Sequence, residues 1–384
     1  MQFFRSERTA ALVLAAAAVL GLVLANTPWG EAIIGVRDAH PSTGVTVFDL
    51  SIGHWIADGL LAVFFLIAAI ELRHELTHGE LDSPRKALAP AVAATAGVVV
   101  PAIVFLLVVR DPAEAAGWPI PTATDIAFAL GVLALLGKGL PRRVRAFLLA
   151  LAVLDDLIAI GIIAVFFTRD LEPLPLLLAV PVIAAFGWLS ARRSPAQPWR
   201  GILLVVLGLA SWVLVLQSGV HATIAGVALG LVYAPKPAAR VRHALEPAVN
   251  GLILPLFALS ASMVRIPEVR EGGLEPLFWG IAIALPVGKL VGITGGAYLA
   301  RTMMPKGERR AALGLAEVLV VATLGGVGFT ISLLMGELAF RGSEELVANA
   351  TIGVLMGSLI AILLGGATTA IVARRSRSLS SSAR

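Results

Sequence analysis

The chain of 384 residues contains no cysteine. Disulfides and thiol chemistry are therefore excluded, while the compartment stays open. Charge is scarce: Asp, Glu, Lys and Arg together make up 14%. Aromatic residues are few as well, at 6%, with two tyrosines. Against these shortages stand 58% hydrophobic residues and a mean hydropathy of +0.90. A soluble domain of this length has too little polar surface to hide such an apolar load. A bilayer takes it up, because lipid is then the solvent. With aromatics sparse, the apolar mass is Ala, Leu, Val and Ile, joined by 38 Gly. Small residues of this kind let membrane helices approach backbone to backbone. The formal charge of +5 leans basic. The placement of that charge in loops, described next, accounts for it without a nucleic-acid partner; the expected surroundings are the lipid bilayer.

A helix crosses the hydrocarbon layer in about 20 residues. Apolar runs between charged or Pro/Gly breaks give twelve candidate spans, near residues 9–26, 57–72, 87–109, 121–136, 146–168, 173–190, 201–216, 219–234, 247–264, 276–300, 311–336 and 346–373. With twelve spans both termini share one side. Arg37, Arg110, Arg169, Arg265, Arg270 and Arg341 then fall on the opposite side, and Lys289 lies inside a span. Every other Lys and Arg falls on the side of the termini, alternating loop by loop. The positive-inside rule makes that side cytoplasmic. The first run, preceded by Arg5 and Arg8, also fits a signal peptide, which leaves the later orientation unchanged. The chain reads as one membrane domain, 1–373, with a short polar cytoplasmic tail, 374–384.

Four ionisable residues lie deep in candidate spans: Asp125, Asp155, Asp156 and Lys289. A charge at the membrane centre costs roughly 2.5–3.5 kcal/mol on insertion scales, so such a group marks a functional site by default. A structural ion pair between helices is the plainer alternative. Three acids against one base leave surplus negative charge, which calls for a cation or protons. Asp155 and Asp156 are adjacent, in AVLDDLIAI. Consecutive helical residues point about 100° apart, so the two face different neighbours. Close carboxylates are not all ionised cheaply. They titrate as one coupled unit and hold either a small cation or protons.

Two spans carry interruptions. The fourth opens with PTATDIAF, where Pro121 breaks the chain and Thr122 and Thr124 flank Asp125. The eleventh contains TLGGVGFT, with Gly325, Gly326 and Gly328. Close packing through small residues explains either one alone. Their placement favours unwinding: spans three to five and ten to twelve form two triplets, each with an interrupted middle member. Paired interruptions of this kind point to a transporter binding site. Half-helix ends present partial charges near the midplane. Asp125 is expected to offset the positive ends and Lys289 the negative ones.

PTATDIAFALGVLALLG, AVLDDLIAI, QSGVHATIAGV, VGKLVGI and GGVGFTIS resemble the signature segments of the NhaA-type sodium/proton antiporters. The resemblance runs from about residue 10 to the last span. It implies an all-α polytopic fold of about twelve transmembrane helices, built from inverted repeats, with two interrupted helices crossing at mid-membrane. It implies an electrogenic exchanger of Na+ or Li+ for H+, serving pH and sodium homeostasis by alternating access, with no cofactor. Asp155 and Asp156 would carry sodium and protons, Asp125 and Thr124 would lie at the crossing, and Lys289 would pair with Asp155 or Asp156. A homodimer in the bacterial inner membrane is implied as well.

Departures from the family pattern touch regulation. IELRHEL keeps Glu71 and Glu75, but His74 stands where an Arg is familiar, and Arg242 occupies a place usually acidic. FALSASMV lacks an expected Asn-Ala-Gly. The residues proposed for pH response are Glu71, His74, Glu75, Arg242 and His221. His221 also fits a hydrogen-bonded histidine at a helix start near Ser218. Asp58 is expected near the periplasmic interface, and Glu317 hydrated at a cytoplasmic end. Two rival readings remain at this stage. One is an intramembrane aspartyl protease using Asp125 and Asp155, although GGVGF lacks the Asp of its usual motif. The other is a sodium-coupled organic-anion symporter, which ordinarily lacks an Asp pair and a buried Lys.

Overall fold

The computed structural model describes residues 6–41, 49–79, 81–168, 170–192, 198–266, 275–305, 309 and 312–382. Arg5, Arg169, Arg193, Arg270, Lys306, Arg310 and Arg384, used above for orientation, lie outside these residues. Every regular element described is helical. In chain order they are α1 (Glu7–Ala25), α2 (Gly30–Asp38), α3 (Ile52–His78), α4 (Pro84–Val108), the irregular α5 (Pro112–Thr122), α6 (Ile126–Leu136), α7 (Arg142–Phe166) and α8 (Pro173–Ala191). Then follow α9 (Pro198–Gln217), α10 (Thr223–Val232), α11 (Pro235–Ala261), α12 (Pro276–Met303), α13 (Leu315–Leu324), α14 (Phe329–Ala339) and α15 (Glu344–Ser382).

Each of the twelve apolar runs falls on a helix, but they are not equivalent. Among the described residues nine helices are long and apolar enough to cross a membrane. Two further segments are bent pairs, α5–α6 at 44° and α13–α14 at 46°. The run at 219–234 yields only the ten-residue α10. Gly219, at φ +79°, turns the chain there, a conformation glycine adopts without a steric penalty. α11 starts well before the apolar run at 247, because its first turns are charged and escape a hydropathy scan. α2 lies in a stretch read as loop. α15 continues through the arginines that follow Ile371.

The chain divides into two compact units. The first comprises Leu14–Thr77 and Ile160–Met263. Its core includes Ala62, Ala179, Trp212, Val215 and Ala225, with a second cluster around Ile70, Phe186, Leu229 and Tyr233. α10 lies directly on α3: a Cβ on Gly226 would fall 2.0 Å from the Ala62 carbonyl oxygen, and one on Gly230 2.6 Å from that of Leu66. The four-residue spacing puts both glycines on one helix face, the familiar seam of close membrane-helix packing.

The second unit comprises Ser6–Val13, His78–Ala159 and Val264–Arg384. Its core joins Ala129 and Leu133 of α6, Val144, Leu148 and Leu151 of α7, Ile293 of α12 and Val320, Val321 and Leu324 of α13. α12 is joined to α4 along Gly288, Gly292 and Gly296, where added Cβ atoms would come within 2.6 Å of Pro101 Cα, 2.4 Å of Ala96 O and 2.8 Å of Ala93 Cα. Around Pro286, α12 widens into a π-helical stretch, Ala284–Gly288, as expected where proline removes a backbone donor. Lys289 begins the regular helix that follows.

Candidate functional site

The site grows out of the two breaks. Pro119 and Pro121 lie in the irregular second half of α5, which ends in a 3-10 turn at Ile120–Thr122, and residues 123–125 run extended and buried into α6. Asp125 caps α6, its Oδ1 accepting from Phe128 N at 3.1 Å. The second break, at Gly325–Gly328, passes beside the first. Thr124 Oγ1 donates to Gly325 O at 2.8 Å, and Asp125 N donates to Val327 O at 2.6 Å. In return, Thr330 N and Oγ1 donate to Asp125 Oδ2 at 3.2 and 2.7 Å, and Ser332 Oγ donates to Ile120 O at 2.6 Å. Phe329 N finds Ser358 Oγ at 3.2 Å.

A helix end leaves backbone groups unpaired, and in a membrane interior each such group is costly. Each break thus supplies partners to the other. Asp125 accepts from the first turns of both α6 and α14, so one carboxylate faces two positive helix ends. Gly325, Gly326 and Gly328 all have ordinary negative φ. Their need for glycine is space: a Cβ would come within 2.5 Å of Ile293 Cδ1, 3.0 Å of Leu285 O and 2.3 Å of Ser332 Oγ respectively. Unwinding and close packing operate here together.

The adjacent aspartates sit in the part of α7 that belongs to this unit. Asp155 is 1% exposed, Asp156 8% and Lys289 0%. Lys289 Nζ donates to Asp155 Oδ2 at 2.7 Å. Asp156 is near enough to act electrostatically on the Lys289 ammonium. Thr124 lies beside the Asp155 carboxylate, linking the acid pair to the crossing. Asp125, Asp155, Asp156, Lys289, Thr124 and the three glycines thus share one buried unit. Among these residues three carboxylates stand against one ammonium. Among the described residues no group of three or more His, Cys, Asp or Glu is arranged to hold a metal ion.

The residues proposed for pH response all lie in the first unit. Arg242 is 3.5 Å from Glu71, both half-exposed. Glu75 is buried and His74 exposed. His221 is buried, its Nδ1 2.7 Å from Thr223 Oγ1 and its Nε2 2.9 Å from Asp58 Oδ1. Asp58 is itself buried, and Trp212 Nε1 donates to its carbonyl at 2.8 Å.

Sequence reasoning missed Thr330 and Ser332. The signal was available, since a hydroxyl directly after the glycine break stands where Asp125 stands after the proline break. It also missed the partner of Glu317. That residue is not an open, hydrated acid: Arg143 Nη2 reaches Glu317 Oε1 at 2.7 Å, and the side chain is only 12% exposed.

The family model described as Na+/H+ antiporter 1 matches residues 1–368. The chain is 51% identical over 377 residues to the Na(+)/H(+) antiporter NhaA 2 of Clavibacter michiganensis subsp. michiganensis, covering 97% of this chain and 92% of that one. It is 43% identical to the Na(+)/H(+) antiporter NhaA of Tropheryma whipplei (strain Twist), covering 95% and 94%. Against that of Pseudomonas putida the figures are 41% identity and 98% of both chains. These matches remove the protease reading, and with nine membrane-length helices among the described residues they make this a multi-pass membrane protein. The chain belongs to the Na+/H+ antiporter 1 family, whose members are transporters rather than enzymes.

Proposed function

We propose that this protein exchanges Na+ or Li+ for H+ across the cytoplasmic membrane, through competition of the two ions for Asp155 and Asp156. The observation that carries the reading is the buried Lys289–Asp155 contact at 2.7 Å, with a second carboxylate one residue away and only one ammonium present. Hard cations prefer oxygen ligands, and carboxylates provide both charge and lone pairs. Sodium arriving at Asp155 and Asp156 competes with the Lys289 ammonium for Asp155. Protons arriving there displace sodium. Thr124 and the carbonyls freed at the breaks are further oxygen donors within the same unit. Asp125, which accepts from two half-helix ends, serves as a fixed counter-charge.

Exchange without leakage follows if the emptied, charged site resists closing, because closure would bury uncompensated charge. A ligand then shifts the inward- and outward-facing states by its differential affinity for them. More than one proton entering per sodium makes the exchange electrogenic. Twelve spans in inverted repeats, both termini in the cytoplasm and a homodimer complete the proposal. The test is proton movement across everted or reconstituted vesicles when sodium or lithium is added. The wild type responds and Asp156→Asn does not; persistent exchange in that variant overturns the assignment.

A further inference from the structure

Arg143 and Glu317 form an ion pair outside the exchange site. Arg143, in the first turn of α7, places Nη2 2.7 Å and Nε 3.2 Å from Glu317 Oε1. The other oxygen, Oε2, accepts from Gly314 N at 2.8 Å. Glu317 therefore caps the start of α13 with one oxygen and grips α7 with the other. A carboxylate is favoured at a helix N-terminus. An exposed ion pair is by itself worth little, but here the acid side chain is 12% exposed and the arginine 48%.

The positions give the pair more reach than its energy suggests. α13 has ten residues and so is about 15 Å long. Beyond its far end, Gly325 O receives the Thr124 hydroxyl and Val327 O receives Asp125 N. Asp155 follows Arg143 by twelve residues in α7, about 18 Å along that axis. Between the two ends Val144, Leu148 and Leu151 share a core with Val320, Val321 and Leu324. Apolar contact of this kind is non-directional and tolerates a small slide of one helix on the other. A charge-assisted hydrogen bond fixes geometry.

We propose that the Arg143–Glu317 pair is a positioning device that sets the register of α13 on α7. It thereby places the Gly325 and Val327 carbonyls against Thr124 and Asp125 and tunes the affinity for the transported cation. The sodium part of this statement rests on the antiport reading above.

Arg143→Gln, Glu317→Gln and the double variant test it. Glu317→Gln keeps an oxygen for Gly314 N and so separates the ion pair from the cap. In reconstituted vesicles each single variant raises the apparent KM for sodium by about threefold or more, with the maximal rate kept within about twofold. The double variant is no worse than the singles, because both remove the same interaction. In the purified protein, amide hydrogen exchange across 324–330 speeds up in both singles. Unchanged KM with unchanged exchange at 324–330 overturns the proposal. So do KM, rate and thermal midpoint deteriorating together, or additive effects in the double variant. A wild type that moves no protons on sodium addition refutes the antiport reading instead, and the amide measurement still decides the role of the pair.

Discussion

Replacing Lys289 by Met tests the buried charge pair at its most exacting point. The substitution keeps a long, flexible, apolar stem, so little packing is lost. What disappears is the ammonium 2.7 Å from Asp155, at a place where both side chains are fully buried. Removing one partner of such a pair leaves an uncompensated charge and costs about 3–5 kcal/mol. Asp155→Asn alone should cost less, because Asp156 remains near the ammonium. Asp155→Asn combined with Lys289→Met removes both partners of the contact, so its cost should fall short of the sum by about 1–3 kcal/mol. The sign with pH follows directly. The pair contributes only while Asp155 is ionised and Lys289 is protonated, so the deficit of Lys289→Met narrows as the medium is acidified. Unfolding of the detergent-solubilised protein, followed through its seven tryptophans, reads all four corners of the cycle. Strictly additive losses, or a Lys289→Met variant as stable as the parent at every pH, would refute the reasoning.

Thr330→Val removes the hydroxyl that donates to Asp125 at 2.7 Å; a loss of about 1–3 kcal/mol is expected, with Thr330→Ser close to the parent in the same unfolding assay. Gly226→Val drives a side chain into the Ala62 carbonyl, 2.0 Å from the first added atom, and should cost about 3 kcal/mol or more. Gly208→Ala is the matched control, since its Cβ meets nothing nearer than Leu229 Cδ1 at 3.8 Å; its folded yield should equal the parent's.

The two breaks were legible in the sequence because proline and clustered glycine carry their own local physics. Asp125 was legible as a helix-end charge for the same reason. The crossing partners were not. Thr330 stands 205 residues from Asp125, and Lys289 stands 134 from Asp155. No periodicity links such positions, and the helical phase of two adjacent aspartates left open which of them meets the lysine. Glu317 read as hydrated because it sits near a span end; its partner Arg143 is 174 residues away. The short α10 was overestimated because Val220 and Ala222 extend the apolar run back to Gly219, although the helix begins only at Thr223. The π-helical widening before Lys289 has only Pro286 as its local trace.

Equilibrium sodium binding to the purified protein across a pH series bears most directly on the central claim. If cation and protons compete for Asp155 and Asp156, affinity should weaken steadily with acidification, and Asp156→Asn should abolish the pH-linked component. Sodium affinity that stays constant while protons are added would contradict a shared site.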